Sequence, residues 1–236
     1  MRLFAISDLH LSLGVDKPMD VFGPKWAGHG DRMRESWDSM VGPDDWVLVG
    51  GDISWGLKLA EAQPDLDWLG ERAGRKVLIK GNHCTWWTSR AKVERAIDPS
   101  IRLLQNDAVR LDDGTVVIGT RLWDPPGAPW SGEEAPRIFA REIERLKLSI
   151  AAGRKLGGCG EGARTIALVH YPPRYSDGRT TEAVELFERA GVSICVYGHL
   201  HGKDLCHGFQ GLGGGIRYVL ASVDAIDFRP VELPPP

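Results

Sequence analysis

The sequence predicts an α/β protein, built first on a mainly parallel sheet and then on a second sheet or an antiparallel edge. Three observations predict it. Short apolar runs at 2–6, 46–49 and 76–79 alternate with helix-compatible stretches. This β-loop-α unit, three times over, calls for right-handed crossovers. Each run also stops at glycine or polar residues: Ser7-Asp8, Gly50-Gly51-Asp52 and Gly81-Asn82-His83. After residue 100 the runs shorten, and Asp112-Asp113-Gly114 between two of them reads as a hairpin turn.

The elements follow in order. Residues 2–6 are the first strand, leading into the loop Ser7-Asp8-Leu9-His10-Leu11-Ser12. Residues 14–30, with two prolines among their glycines, predict irregular structure. Met33, Trp37 and Met40 give a helix over 31–40, with Asp31 as N-cap. Residues 46–49 are the second strand. Residues 57–72 are helical, with Pro64 either breaking the helix or starting another. Residues 76–79 are the third strand, and 88–97 predict a basic helix closed by Asp98-Pro99. Short strands follow at 103–104, 108–111 and 115–118. The proline-rich run 123–130 is irregular. A helix over 136–152 carries Phe139, Ile143, Leu146 and Ile150 on one stripe, and a Gly-rich return spans 153–162. A strand at 165–169, a helix at 180–190 and strands at 193–197, 216–221 and 228–233 complete the chain, with a frayed Pro234-Pro235-Pro236 tail. A single domain over 1–236 is expected, with an insertion at about 121–162. That insertion reads as a lid or specificity element, or as a surface excursion with no role.

Composition narrows the classes. Hydrophobic residues at 42% and charged residues at 26% are ordinary for a soluble globular protein. The net charge of −3 does not point to a polyanion, so a nucleic-acid partner is possible but not favoured. The apolar run at the start is too short for a signal peptide or a membrane span, and a cytoplasmic protein with no membrane partner is expected. The four cysteines include no CxxC pair, so free thiols rather than a thiolate zinc site are expected.

Five strand ends carry polar donors: Asp8 with His10, Asp52, Asn82 with His83, His170, and His199 with His201. In an open α/β sheet such ends lie where ligands bind. A solvated loop histidine or a turn-capping aspartate would account for any one of them. Together they account for five of the seven histidines, leaving His29 and His207, both read as ordinary surface residues, with a supporting or substrate role also open to His207 six residues after His201. Oxygen and imidazole donors without thiolate suit Mn, Fe, Zn or Ni. So many donors suit two divalent ions, and two ions about 3.5–4 Å apart need a bridging carboxylate. Asp52, central and flanked by glycine, is the natural bridge. Asp8, His10 and one of His199 and His201 would complete one ion. Asn82, His170 and the other histidine would complete the second.

With these residues in place the chain resembles the calcineurin-like metallophosphoesterases. Their pattern appears here as Asp8-Leu9-His10, Gly51-Asp52, Gly81-Asn82-His83, His170 and Gly198-His199-Leu200-His201. The resemblance spans nearly the whole chain. It implies a four-layer αββα sandwich of two mixed sheets flanked by helices, with the dimetal site at one sheet edge. It implies His201 on the Asp8/His10/Asp52 ion and His199 on the Asn82/His170/Asp52 ion. It also implies a phosphoester substrate, cleaved by in-line attack of a hydroxide held between the ions.

Two departures stand out. After Gly51-Asp52 the chain reads Ile53-Ser54-Trp55-Gly56, without the Asp-Arg-Gly of the protein serine/threonine phosphatases, which argues against a phosphoprotein substrate. Cys84 stands where the superfamily usually has Asp or Glu; it is either a small buried filler or a weaker partner for its neighbour. His83, not needed as a ligand, is the candidate general acid. Trp86-Trp87 either wall a cleft or pack in the core. Arg90, Arg121, Arg174 and Arg179 are candidate phosphate binders. The expected activity is hydrolysis of a small phosphomonoester or phosphodiester. Beside it stand a cyclic-nucleotide phosphodiesterase or nuclease, and a non-catalytic protein-binding scaffold of the same fold.

Overall fold

The computed structural model describes residues 1–128 and 131–235, so the readings of 123–130 and of the proline tail lie partly outside the described residues, at Pro129, Trp130 and Pro236. In chain order the strands are β1 (Leu3–Ile6), β2 (Trp46–Val49), β3 (Arg75–Ile79), β4 (Ile101–Leu104), β5 (Ala108–Arg110), β6 (Val116–Ile118), β7 (Thr165–Leu168), β8 (Val192–Tyr197), β9 (Gly211–Gly213), β10 (Ile216–Leu220) and β11 (Val231–Glu232). The helices are α1 (His29–Met40), α2 (Leu59–Glu71), α3 (Arg90–Glu94), α4 (Ala135–Lys155) and α5 (Glu182–Arg189). The chain forms two compact units, Met1–Leu103 with Ala221–Pro235, and Leu104–Leu220. Each holds a mixed sheet with helices, an α/β fold.

The first unit's sheet has the order β11-β1-β2-β3-β4. β1, β2 and β3 run parallel, in register from Leu3↔Trp46 and Trp46↔Arg75. These strands are buried throughout except at Arg75. That is why they read as unbroken apolar runs rather than alternating ones. One face of the sheet, with Phe4, Ile6, Val47, Val49 and Leu78, shares a core with Met33 and Trp37 of α1 and Leu66 and Leu69 of α2. Trp86 and Trp87 belong to this same core, so the packing reading of that pair holds.

Several boundaries differ from the sequence reading. The 14–30 segment contains two 3-10 turns, Met19–Phe22 and Pro24–Trp26. α1 starts at His29 behind Gly28, whose left-handed backbone makes the cap, and Asp31 falls in the first turn instead. α2 runs straight through Pro64. Its C-terminal carbonyls at Gly70 and Arg72 accept from the buried Lys76 ammonium, which supplies a cation at that end. α3 is a short piece of the expected 88–97 helix, since Ala96 N–H turns back to Val93 in a 3-10 bond.

The second unit's sheet has the order β5-β6-β7-β8-β10-β9. β6, β7, β8 and β10 are parallel, with antiparallel β5 and β9 at the edges. α4 packs on β5 and β6, and α5 on β8. Phe139, Ile143, Leu146 and Ile150 form the buried side of α4, so the helix of the 121–162 segment is part of this unit's core layer. α4 also continues past residue 152, where a loose return was expected. A side chain at Gly153 would meet Ile118 at 2.7 Å, so glycine there permits close helix–sheet approach rather than ending the helix. The C-terminal strand shrinks to β11, which pairs antiparallel with β1 in the first sheet, while Phe228 sits in a turn with φ 58°. Among the described residues no helix is long and apolar enough to cross a membrane.

Asp65 of α2 is fully buried and ties two loops to the helix. Its carboxylate accepts from Leu13 N–H at 2.8 Å and from the Ser54 hydroxyl, which itself accepts from Gly56 N–H at 2.9 Å. Burial raises the Asp65 pKa, against the pull of these hydrogen bonds. Asp65→Ala leaves the Leu13 N–H and the buried Ser54 hydroxyl without their acceptor and is expected to cost about 2–3 kcal/mol, read as a lower Tm; Asp65→Asn keeps an acceptor and stays near wild type at acid pH. Because the folded pKa is raised, the wild type loses stability relative to Asp65→Asn as pH rises through it. Thermal unfolding of the three proteins from acid to neutral pH checks both; an Asp65→Ala protein as stable as wild type contradicts the tie.

Candidate functional site

The first unit's donors come from two loops that continue β1 and β2 beyond the regular sheet. The loops remain hydrogen-bonded to each other. Asp8 N–H donates to Gly51 O at 2.9 Å, His10 N–H to Asp52 O at 3.0 Å, Leu11 N–H to Ile53 O at 2.8 Å, and Trp55 N–H back to Leu11 O at 2.9 Å. To keep this pairing while turning, Asp8, His10 and Asp52 adopt φ of 61°, 46° and 49°. Left-handed backbone is costly for non-glycine residues and collects at functional positions. Nine non-glycine residues have positive φ among the described ones, and four of them (these three and His199) are ligands expected from the sequence.

The result is a buried, acidic donor floor. Asp8 and Asp52 are 0% and 1% exposed, and His10 is 3% exposed. A carboxylate oxygen of Asp8 lies within 4.8 Å of one from Asp52 and of a ring nitrogen of His10. Ser222, just after β10, donates to Asp8 at 3.2 Å, and Ser7 N–H bonds Ala221 O at 2.7 Å. His29, at the start of α1, places Nε2 3.1 Å from Leu9 O and 3.3 Å from His10 O, pinning the loop from behind. Burial lowers the His29 pKa, which favours the neutral ring with one N–H for these carbonyls. His29 is therefore a buttress of the ligand loop, not the ordinary surface histidine expected.

Asp52 also organises the stretch after β3. Its Oδ1 accepts from His83 N–H at 2.8 Å. The Cys84 thiol lies 3.8 Å from the same oxygen and takes the Gly81 N–H at 3.3 Å. Burial, then the Asp52 charge, pushes the Cys84 pKa up to about 12, so the thiol stays neutral. Cys84 is thus a buried, uncharged neighbour of Asp52. A side chain on Gly81 would meet Asp52 Oδ1 at 2.0 Å and Asp52 N at 2.6 Å, so only glycine fits. Asn82 is half-buried and His83 exposed. The His83 ring lies 4.4 Å from the Trp55 ring and 5.6 Å from His10, and Trp55 stacks on His10 at 4.7 Å and 20°.

The second unit carries three of the expected imidazoles. His170 is fully buried just past β7; its N–H and that of Tyr171 both bond Arg121 O. Its carbonyl accepts from Gly198 N–H at 3.0 Å, which links the β7 and β8 ends. His199 (φ 74°) places its ring 5.2 Å from His170 and 4.0 Å from Tyr171. Trp123 extends this cluster, 4.7 Å from Tyr171. His201 is half-buried and opens the 3-10 turn Gly202–His207.

The donor chemistry fits divalent metal ions. Two carboxylates buried side by side repel, and a cation between them relieves both the repulsion and the desolvation. Neutral imidazoles are the natural partners for such an ion. Asp8, His10, Asp52, His170 and His201 are candidate metal-binding residues. The four candidate arginines are otherwise engaged: Arg90 with Glu94, Arg174 with Gly178 O and the Phe209 ring, Arg179 with Asp177, and Arg121 with the Trp123 ring and, at 4.0 Å, buried Glu142. Trp55 and Tyr171 were given no role from the sequence, and His29 was read as a surface residue. Only Trp55 left a signal, as the aromatic residue three positions after Asp52.

The family model for calcineurin-like phosphoesterases matches residues 1–203. The chain belongs to that family. Two relatives of this calcineurin-like phosphoesterase are the Gene 66 proteins of Mycobacterium phages L5 and D29, 39% and 44% identical over 79 and 78 residues. Each match covers 33% of this chain and 37% of the phage protein, so the chain spans little more than a third of those relatives. Among solved structures the phosphopantetheinyl hydrolase PptH of Mycobacterium tuberculosis aligns over 100% of this chain and 96% of its own, with TM-score 0.59 and 21% identity. TT1561 of Thermus thermophilus aligns over 98% of each chain, with TM-score 0.60 and 12% identity. Both likenesses are of fold.

The Gly81–Asp52 contact gives a prediction. Gly81→Ala is expected to remain folded by circular dichroism but to lose metal affinity by about 10–100-fold, measured as metal retained after gel filtration. Wild-type retention in Gly81→Ala would show that this contact does not set the site.

Proposed function

We propose that the chain hydrolyses a small phosphomonoester or phosphodiester through a two-metal site. The carrying observation is the strained, mutually bonded backbone that holds Asp8, His10 and Asp52 as a buried donor floor. Asp8, His10, Asp52 and His201 would hold one ion. Asn82, His170, His199 and the shared Asp52 would hold the other. Two bound divalent ions supply a water acidic enough to ionise near neutral pH and a hold on the phosphoryl oxygens.

The chain's own residues do the remaining work. Asp52 accepts from His83 N–H, which fixes the backbone that carries the His83 ring. Trp55 lies against that ring, so His83 is held while its edge stays open to solvent and substrate. A histidine so placed can give a proton to the leaving oxygen as the ester bond breaks. Cys84, neutral and turned toward Asp52, adds no charge there. The retention of every donor favours an enzyme over a protein-binding scaffold, and the net charge of −3 favours a small phosphoester over a nucleic acid.

Two measurements test this reading. Purified protein is expected to retain divalent metal and to hydrolyse an aryl phosphate monoester or diester, with chelation abolishing turnover; a protein with neither metal nor turnover would overturn it. His83→Ala is expected to slow alkyl esters by about 10²–10⁴-fold but aryl esters with acidic leaving groups by less than ~10-fold. Equal slowing of both substrates would remove His83 from the acid role.

A further inference from the structure

Lys17 is an exposed lysine held in an unusual way. Its ammonium lies 3.5 Å from the centre of the Trp55 ring. Among the described residues that ring contact is its side-chain interaction, with no carboxylate against it. Trp55 clasps the same loop a second time, since its indole N–H reaches the sulfur of buried Met19 at 3.0 Å. Leu13 N–H on Asp65 and Lys17 N–H on Val15 O fix the loop upstream. The indole therefore gathers three groups: the His10 ring at 4.7 Å, the His83 ring at 4.4 Å and the Lys17 ammonium. From those legs the ammonium lies no more than about 8 Å from either imidazole centre. An ammonium over an indole keeps most of its positive charge available to an anion on its outer side.

We propose that Lys17 is a substrate-binding residue that takes a non-bridging phosphoryl oxygen of the phosphoester, and that Trp55 is the positioning residue that holds Lys17 and His83 together. This rests on the two-metal reading above and adds to it a positive side chain for the phosphoryl group, since the four candidate arginines have other partners. Trp55 stands in the Ile53-Ser54-Trp55-Gly56 segment directly after Gly51-Asp52, so the ammonium rests on the segment that follows a proposed ligand. A lysine serves as a mobile point charge and not as a planar fork, which suits a small substrate of variable shape.

The test uses inorganic phosphate as the probe, titrated by calorimetry into manganese-loaded protein, with aryl phosphate kinetics alongside. Lys17→Met is expected to weaken phosphate by about tenfold and to raise KM with kcat little changed, and Lys17→Arg to restore affinity to within about threefold. Trp55→Leu is expected to weaken phosphate as much and also to lower kcat on alkyl esters, since it frees His83; Trp55→Phe should recover part of both. Lys17→Met with wild-type phosphate affinity and KM overturns the proposal and leaves the phosphoesterase reading intact, provided the wild type binds manganese and turns over. Wild-type protein that binds manganese and hydrolyses the ester but shows no phosphate binding also overturns the Lys17 assignment alone. Absence of both manganese and turnover overturns the two readings together.

Discussion

Everything in the first unit's donor set depends on one backbone arrangement, the pairing of the 8–11 and 51–55 loops beyond the ends of β1 and β2. The parallel register Ile6↔Val49 brings the two strands out side by side. The hydrogen bonds then continue between loops instead of ending at the sheet edge. Turning while bonded forces Asp8, His10 and Asp52 into left-handed conformations that would otherwise be abandoned. The cost is borne because both ends are fixed, by the strands behind and by His29 and Asp65 at the sides. Once Asp52 is fixed, its carboxylate sets the Gly81–Cys84 turn, and Trp55 sets the imidazole faces.

Cys84 gains a physical meaning within that arrangement. Two carboxylates already lie close together in a site with almost no solvent. A third anion in the fully buried position of Cys84 would raise the electrostatic cost further. A thiol kept protonated by burial fills the space beside Asp52 without adding charge. His83 is correspondingly held from other directions, by its own N–H on Asp52 and by the indole of Trp55.

The strand ends were legible in the sequence because a doubly buried parallel strand is written as an apolar run, and the polar residue that stops it is conspicuous. β1, β2, β3, β7 and β8 were found this way, and with them every proposed ligand. Helix limits were harder. Pro64 lies inside α2 and Gly153 inside α4, where packing against neighbours overrides local preference. β9, made of Gly211, Leu212 and Gly213, has no strand composition and forms because β10 offers an edge. The roles of His29 and Lys17 were not legible, and Trp55 left only its place after Asp52. These roles arise from contacts between loops distant in sequence, set by backbone turns that no periodicity records.

The first unit is discontinuous in sequence. β11, the Ser222–Asp8 contact and the Ala221 carbonyl all come from Ala221–Pro235, after the continuous run Leu104–Leu220 that makes the second unit. Domains emerging from a ribosome usually fold in order from the N-terminus. Here the second unit has its whole sequence available before the first can close its sheet. The loop pairing that carries Asp8, His10 and Asp52 lies within Met1–Leu103, whereas the Ser222 hydroxyl on Asp8 and the β11 edge are contributed only after the second unit's sequence.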